Sequence, residues 1–321
     1  MSKVCTAADR RDYALDWLTG LLPVTLMALF GYRWQFTWLA VLAAGGYLMA
    51  TLLLEWLLKT ERGPALLSRA VVAGLAVAFF LPSTAPYWPA ALGGGLLAAV
   101  GRIPAAVGRV PLPRVHPVVM TYLLLCLLAP EAVACGYALP LQWRGMDALS
   151  TATPLVALRG GETLHSTWQL LYGVRAGAMG EVCVAAVLLG AVFLLLRRRL
   201  RLVAPACMLA TLSLLSWLLW NSPLYGLLAG AAVPGALLLA DRNYMEHPYA
   251  DQITAGVTAG VVTVLIRRFG SWPEGVAVGL LAAYTAVLLR PHVCRLVGRI
   301  PGADRLFSRC KDIFRKKKNN G

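Results

Sequence analysis

The sequence predicts an all-α protein that crosses a membrane about ten times and carries one long extracytoplasmic loop. Hydrophobic residues make up 59% of the 321 residues, and only 14% are charged. A soluble protein of this length needs roughly 25% charged residues to cover its surface. Apolar segments long enough to span a bilayer recur along the chain, and lysine and arginine collect in alternate connections between them. These observations exclude a soluble globular domain.

Ten mainly apolar segments are predicted to be transmembrane helices. The preceding N-terminus, MSKVCTAADRRDYALDWL (1–18), lacks an apolar core followed by a small-residue cleavage site, so we predict no signal peptide. Several segments are rich in small residues that let helices pack closely, such as ALGGGLLAAVG (91–101). The predicted spans are approximately 17–32, 36–58, 65–82, 86–101, 116–135, 181–196, 202–219, 223–240, 253–267 and 273–290.

The spans divide the chain into four parts. These are an N-terminal membrane half of five helices (1–135), a loop (136–180), a C-terminal membrane half of five helices (181–290) and a basic tail (291–321). With the N-terminus in the cytoplasm, 24 of the 30 lysines and arginines fall in cytoplasmic segments. This skew predicts that both termini are cytoplasmic and that loop 136–180 lies on the outer face. The basic tail suits an anionic lipid surface, and no soluble module is long enough to bind nucleic acid.

Several charged residues do not follow this simple scheme. The pair Arg267–Arg268 falls on the outer side, where it either caps the ninth span or belongs to a re-entrant segment. Glu55 and Glu131 lie in or near spans, so each either lines an ion path or reaches the membrane surface from a span end. Asp241 and Asp251 flank a cytoplasmic connection, and we predict that both are solvated. The seven cysteines show neither a C-x-x-C motif nor a histidine-paired spacing, which argues against a metal site.

Two segments of the chain have similar sequences. YWPAALGGGLLAA (87–99) and SWPEGVAVGLLAA (271–283) both contain Trp-Pro, five residues and then Gly-Leu-Leu-Ala-Ala. The identical spacing suggests an internal repeat, an arrangement that many transporters use. Two unrelated helices that begin with proline explain the same pattern, since proline is favoured in the first helical turn.

A hydroxyl cluster, MDALSTATPL (146–155), lies in the predicted outer loop. Such clusters commonly form solvated turns. Catalysis by a hydroxyl needs an adjacent base, and the nearest of the four histidines is His165, so we predict no catalytic residues here. The arrangement D-x-x-S-x-A-T is more specific, because it matches the flavinylation motif D-x-x-(S/T)-G-A-T through Asp147, Ser150, Ala152 and Thr153.

The chain resembles the D subunit of Rnf-type electron transport complexes and the B subunit of the sodium-pumping NADH:quinone reductase, which form one family. The resemblance rests on DALSTATPLVAL (147–158), GVRAGAMGEVCVAAVLLGAVFLLLRR (173–198) and TVLIRRFGSWPEGVA (263–277), and more loosely on DYALDWLTGLLPVTLMALFGYRW (12–34) and FLPSTAPYWPAALG (80–93). It implies a bacterial inner-membrane subunit in which a flavin transferase links FMN to Thr153 as a phosphoester.

The resemblance also implies a function. The covalent FMN would relay electrons among a second flavinylated subunit and membrane subunits that carry iron–sulfur centres. The whole complex would move electrons between ferredoxin and NAD, coupled to Na⁺ or H⁺ transport. The sequence has no G-x-G-x-x-G fingerprint after a strand, so NAD and ferredoxin are expected to bind to other subunits.

The sequence departs from the family pattern at three places, of which one is the absence of the usual Ser-Pro-His near the N-terminus. Thr151 replaces the usual glycine of the motif. The usual G-x-N-x-F-N-P-A before the fifth span is VGRVPLPRVHPVVM (107–120), in which Pro117 is retained and His116 stands where asparagine is usual. If that stretch binds a second, non-covalent flavin in relatives, the change leaves open whether this chain binds one.

The segment GAMGE (177–181) opens the predicted sixth span. Gly177 and Gly180 either let the backbone approach the flavin or only start a helix, and Glu181 either serves the cofactor or sits in the first helical turn. Two other functions stay open for the whole chain. One is a transporter or channel of the same fold without a redox role, and the other is a flavinylated subunit of an electron-export chain that pumps no ions.

Overall fold

The computed structural model describes residues 7–59, 66–107, 115–133, 136–137, 140, 166–173, 175–245, 247–270 and 275–297. These residues are predominantly α-helical, and the only β-type pairing among them is an isolated antiparallel bridge between Leu200 and Asp241. The helices are α1 Ala7–Leu57, α2 Leu66–Phe80, α3 Trp88–Val107, α4 Pro117–Leu128, α5 Pro130–Val133, α6 Thr167–Tyr172, α7 Val184–Leu196, α8 Val203–Trp220, α9 Pro223–Leu228, α10 Ala232–Ala240, α11 Tyr249–Phe269 and α12 Val276–Val297.

Helix α1 contains the first two predicted spans. Unbroken, its 51 residues would be about 77 Å long, more than twice the thickness of a bilayer core. Arg33, with φ 46° and ψ −122°, interrupts the helix between segments 7–32 and 34–57. A positive φ is disfavoured for arginine, so tertiary packing rather than local preference sets this break.

Each of the other predicted spans also contains a helix, although two of them are interrupted. Pro130 begins α5 after α4 ends at Leu128, which divides predicted span 116–135. Predicted span 223–240 consists of α9 and α10, separated by residues 229–231. Among the described residues, three helical segments meet the length and hydropathy expected of a complete span, namely Asp12–Leu57, Val203–Trp220 and Tyr249–Phe269.

The outward-facing surfaces of the helices are apolar. Large side chains such as Phe30, Leu127, Leu196 and Leu218 are more than half exposed. In water such surfaces would drive aggregation, whereas hydrocarbon covers them at no cost. The described part of the chain is therefore an all-α membrane protein.

Glycines bring the helix pairs of the interior into backbone contact. A Cβ atom on Gly46 would lie 2.1 Å from the carbonyl oxygen of Ala91, which joins α1 to α3. One on Gly256 would lie 2.2 Å from the carbonyl oxygen of Ala204, which joins α11 to α8. Close approach of small residues is how helices gain dispersion energy inside a bilayer, where lipid competes for apolar contact.

Candidate functional site

A cavity of about 450 Å³ lies in the centre of the helix bundle. Side chains from α1, α2, α4, α10 and α12 form its walls. One end, here called the basic end, includes Arg69, His116 and Tyr244, and the other, here called the glycine end, includes Gly180 and Glu181. Helix α7 joins the two ends, and its 13 residues correspond to about 20 Å.

Asp241 organises the basic end of the cavity. Its carboxylate is fully buried, accepts a hydrogen bond from the Tyr13 hydroxyl, and accepts the backbone N–H of Asn243 at 3.0 Å. The Nε2 atom of His116 lies 3.4 Å from Asp241 Oδ2. The prediction that Asp241 is solvated is wrong, because the end of α10 turns inward where Leu200 pairs with Asp241. Asp251 is partly buried and forms an ion pair with Arg290.

Aromatic rings surround this carboxylate. The His116 and Tyr244 rings pack with centroids 4.5 Å apart, and Arg69 Nη2 donates to the Tyr47 hydroxyl at 3.3 Å. Burial, with the Asp241 charge in second place, raises the pKa of the Tyr244 phenol well above its ordinary value. A raised pKa is expected here, because both the low polarity of the surroundings and the nearby anion oppose ionisation of the phenol. Tyr244 is therefore an uncharged part of the cavity wall.

A second buried carboxylate fixes the start of α1 to the same end. Asp16 accepts hydrogen bonds from Arg197 Nε at 2.8 Å and from Arg199 Nε at 2.6 Å. The guanidinium group of Arg199 also lies over the Tyr13 ring, at 5.8 Å from its centroid. Paired carboxylates tolerate burial because each charge is met by a donor.

The glycine end is formed by residues 177–182, which run beside the end of α2. Gly180 donates its backbone N–H to the Phe79 carbonyl at 3.0 Å, and a Cβ atom on Gly180 would lie 2.3 Å from Phe79 Cβ. Glu181 Oε1 accepts the backbone N–H of Ala178 at 2.9 Å and lies 3.0 Å from where a Cβ atom on Gly177 would be. Both glycines therefore have a packing role that the structure shows directly.

The structure corrects the predicted start of the sixth span. Helix α7 begins at Val184, with Cys183 as the residue before it, so Glu181 is not in a first helical turn. Instead, the Glu181 side chain closes its own turn by binding the N–H of Ala178, and only 7% of Glu181 is exposed. This turn gives the backbone N–H of Ala178 a hydrogen-bond acceptor within the protein.

Two buried arginines lie beside the break between α9 and α10. Arg175, with 0% exposure, donates through Nε to the Val182 carbonyl at 3.3 Å and through Nη2 to the Glu181 and Gly230 carbonyls. Arg267 donates through Nη1 to the Gly226 carbonyl at 2.6 Å. The Gly226 and Gly230 carbonyls lie at the end of α9 and in the break that follows it, where intrahelical donors are lacking, and the Glu181 and Val182 carbonyls lie in the turn before α7. Arg267 was predicted either to cap the ninth span, which is α11, or to belong to a re-entrant segment. The structure favours a cap, but Arg267 caps the end of α9, which belongs to the predicted eighth span.

Sequence reasoning did not single out Arg175, Tyr13 or Asp241 as site residues. A signal for the two arginines was present, because Arg175 and Arg267 were exceptions to the clustering of basic residues on one face. A basic residue on the charge-poor face of a membrane protein is a candidate for burial. No local pattern distinguished Asp241, since its burial depends on the distant residues Leu200 and Tyr13.

Other predicted residues have different outcomes. Asp147, Ser150, Thr151, Ala152 and Thr153 lie outside the described residues. Among the residues that the structure does describe, no group of three metal-ligating side chains is close enough to hold a metal ion.

The two acids considered for ion paths also differ. Glu55 is buried, and its Oε1 lies 2.9 Å from Arg102 Nη1, which favours a structural ion pair over an open ion path. Glu131 is exposed in the first turn of α5, as expected for a side chain that reaches the membrane surface.

Comparison with known proteins places the chain in a family. Residues 4–293 match the model of the NQR2, RnfD, RnfE family. A protein of Salmonella arizonae, named as the D subunit of an ion-translocating oxidoreductase complex, is 30% identical over 323 aligned positions, which cover 87% of this chain and 91% of that protein. A protein of Acetobacterium woodii, named as the D subunit of a Na⁺-translocating ferredoxin:NAD⁺ oxidoreductase complex, is 28% identical over 226 positions, covering 68% of this chain and 69% of that protein. Since the family match extends over nearly the whole sequence, the chain belongs to the NQR2, RnfD, RnfE family.

Proposed function

We propose that the protein is the RnfD-type membrane subunit of an ion-translocating electron transport complex, and that it carries FMN covalently on Thr153. The observation that carries the proposal is the motif from Asp147 to Thr153 in a chain of this family. The relatives, which are named as D subunits of ion-translocating oxidoreductases, support assembly with other subunits of such a complex. Electrons would pass between ferredoxin- and NAD-linked partners, coupled to transport of Na⁺ or H⁺.

The attachment chemistry assigns roles to the loop residues. A flavin transferase would join the FMN phosphate to the Thr153 hydroxyl, and Asp147, Ser150, Thr151 and Ala152 would form the sequence that it recognises. A threonine hydroxyl on an extracytoplasmic loop is accessible to such an enzyme, which a buried hydroxyl would not be. When bound, the flavin supplies one- and two-electron transfer, and the protein contributes binding, orientation and electrostatics.

The described residues support ten crossings with both termini in the cytoplasm of a bacterial inner membrane. Each predicted span contains a helix, and α1 contains two of them on either side of Arg33. Arg175 and Arg267 count on the outer side, yet both are buried and bound to carbonyls, so they are not free surface charges. Without them, the basic residues are divided still more unequally between the two faces.

The packing also supports an internal repeat of five helical segments. The second segment of α1 packs closely on α3, and α8 packs closely on α11, in each case through glycines. In each half of the chain, the packed pair consists of the second and the fourth of its five predicted spans. The repeat that we propose therefore makes α3 equivalent to α11. The two similar sequences with Trp-Pro lie instead on α3 and α12, the fourth and fifth spans of their halves, so this repeat does not depend on their similarity.

The central cavity suits a second, non-covalent flavin. Its volume lies within the range of about 300–1,000 Å³ that is usual for small-molecule sites. Aromatic walls, including Trp17 and Tyr122, suit a planar ring, while Arg69 and His116 provide polar contacts at one end. His116 and Pro117 belong to the stretch that departs from the family pattern, so this chain would bind such a flavin with side chains of its own.

One observation favours the alternative of a transporter without a redox role. The span formed by α9 and α10 is interrupted beside a cavity, as in many transporters whose substrate sites lie at broken helices. An electron-export subunit without ion pumping would share the flavin site and differ in its partners.

The proposal is tested in membranes that contain the complete complex. Replacing the chain with its Thr153→Ala variant should reduce ferredoxin-dependent NAD reduction by at least about tenfold, while Thr163→Ala, which removes a hydroxyl of the same predicted loop outside the motif, should retain the larger part. Co-purification of the other subunits with the Thr153→Ala variant controls for assembly. Normal electron transfer by an assembled Thr153→Ala complex would contradict the redox role.

A further inference from the structure

We propose that the turn between α7 and α8 binds the headgroup of a phospholipid that carries two phosphate groups, as cardiolipin does. This turn, here called the arginine turn, consists of residues 197–201 and has the sequence RRRLR. It lies on the side of the membrane that we propose to be cytoplasmic, where anionic lipid attracts basic segments. The proposal does not depend on the flavin, because it concerns only the surface of the folded chain.

The first premise is that an arginine occupies a backbone position that favours glycine. Arg198 has a φ of 57°. Its N–H donates to the Leu195 carbonyl, and the N–H of Arg199 donates to the Leu194 carbonyl, both at 2.9 Å. These two bonds form a Schellman motif, in which the residue with positive φ is usually glycine. An arginine here costs conformational free energy, so its presence points to a role for the side chain.

The second premise is that the turn carries more positive charge than its contacts neutralise. The Nε atoms of Arg197 and Arg199 lie 2.8 and 2.6 Å from the two carboxylate oxygens of Asp16. The Arg197 side chain nevertheless stays 54% exposed. Arg198 is exposed, and its side chain forms no ion pair within the described part of the chain. Three guanidinium groups and one carboxylate leave two positive charges, which match a headgroup with two phosphates.

The arginine turn is also held in place by the segment that follows α10. Arg242 donates its N–H to the Arg199 carbonyl at 3.0 Å, and Arg201 donates its N–H to the Ala240 carbonyl at 2.7 Å. These two arginines add positive charge beside the turn, while Asp12 of α1 supplies a further exposed carboxylate. A backbone fixed on both sides presents the guanidinium groups without a large ordering cost when a ligand binds.

The third premise is that an apolar surface continues from the turn. Leu189, Val192 and Leu196 of α7 are 65%, 56% and 77% exposed. Their spacing of three and four residues places them on one face of the helix. This face ends one residue before Arg197, so a headgroup at the turn would place an acyl chain along α7. A phospholipid fits both the charge and the apolar face, whereas an acidic soluble protein fits only the charge.

The experiment measures the affinity of the full-length protein for its first bound cardiolipin, by native mass spectrometry in a nonionic detergent. Arg198→Gly removes the charge and introduces the residue that the backbone favours. Lys59→Gly is the matched control, because Lys59 is also exposed and has a φ of 49°. We expect Arg198→Gly to weaken binding about fivefold, and Lys59→Gly to change it by less than about twofold.

The stability of the variants separates binding from folding. Without cardiolipin, the thermal unfolding midpoint of Arg198→Gly should equal or exceed that of the wild type, and a lower midpoint would contradict the first premise. Arg198→Asn is a second variant, since asparagine tolerates a left-handed backbone and carries no charge. It should bind cardiolipin as weakly as Arg198→Gly does, and wild-type affinity in this variant would overturn the role of the charge.

The remaining outcomes identify the ligand. Equal losses in Arg198→Gly and Lys59→Gly would overturn the site, because general surface charge would then explain the binding. Phosphatidylglycerol, with one phosphate, should bind several-fold more weakly than cardiolipin, and equal affinity would overturn the match to two phosphates. Displacement of cardiolipin by equimolar pyrophosphate would assign the turn to a soluble phosphate ligand instead. Unchanged cardiolipin binding by Arg198→Gly, with loss of other subunits from the complex, would assign it to an acidic protein.

Discussion

Replacing Gly46 with alanine is expected to destabilise the protein strongly, whereas the same change at the neighbouring Gly45 is not. A Cβ atom on Gly46 would lie 2.1 Å from the Ala91 carbonyl oxygen, so α1 and α3 would have to separate. Overpacking of this kind costs about 1–3 kcal/mol in the free energy of unfolding. We expect the midpoint of thermal unfolding in detergent to fall by several degrees.

Gly45 provides the matched control for this prediction. Nothing lies within 4 Å of the position that its Cβ atom would take. Alanine is favoured over glycine in a helix interior by about 1 kcal/mol, so Gly45→Ala should leave stability unchanged or raise it slightly. Equal unfolding midpoints for the two variants would show that α1 and α3 do not cross at Gly46.

Arg267→Met is expected to destabilise the break between α9 and α10. The substitution leaves the Gly226 and Ala229 carbonyls without the donors Nη1 and Nη2, which lie at 2.6 and 3.3 Å. An unsatisfied buried group costs about 1–3 kcal/mol, so the two together should lower the free energy of unfolding by about 2–6 kcal/mol. Methionine keeps much of the side-chain volume, which separates the loss of hydrogen bonds from the creation of a cavity.

The control for this variant is Arg268→Met. Arg268 is exposed, and its guanidinium group lies over the neighbouring Phe269 ring, at 5.9 Å from the centroid. Its removal should change stability by less than about 1 kcal/mol. Both variants lose one positive charge, so a difference between their unfolding midpoints reports the buried contacts of Arg267. Equal midpoints would argue against its role as a cap.

The sequence predicted the locations of the membrane helices because burial in lipid demands long apolar segments. The predicted spans 17–32 and 36–58 flank the observed break at Arg33, and span 65–82 closely matches α2. The interruptions at Pro130 and at residues 229–231 were not predicted. The break at residues 229–231 depends on donors from elsewhere, such as Arg267, about which hydropathy along the chain carries no information. The other break coincides with Pro130, a local signal that hydropathy does not include.

Residues of the candidate site could be predicted from the sequence only where they form a short local motif. The motif from Asp147 to Thr153 is such a pattern, and its role stays a prediction because those residues lie outside the described part of the chain. Gly177, Gly180 and Glu181 lie in one short segment before α7 rather than in a helix start, and their predicted role toward the cofactor stays a prediction. The Asp241 cluster joins residues as distant in sequence as Tyr13 and Asp241, so it becomes visible only in the fold.

The measurement that tests the central claim most directly is in-gel flavin fluorescence of the denatured protein. The chain is produced together with a flavin transferase, and Thr153→Ala and Thr163→Ala are examined beside the wild type. We predict a fluorescent band for the wild type and for Thr163→Ala, which leaves the motif intact, and none for Thr153→Ala. A dark wild-type band, obtained while the transferase modifies a control protein, would contradict a covalent flavin on Thr153 and favour a transporter without a redox role.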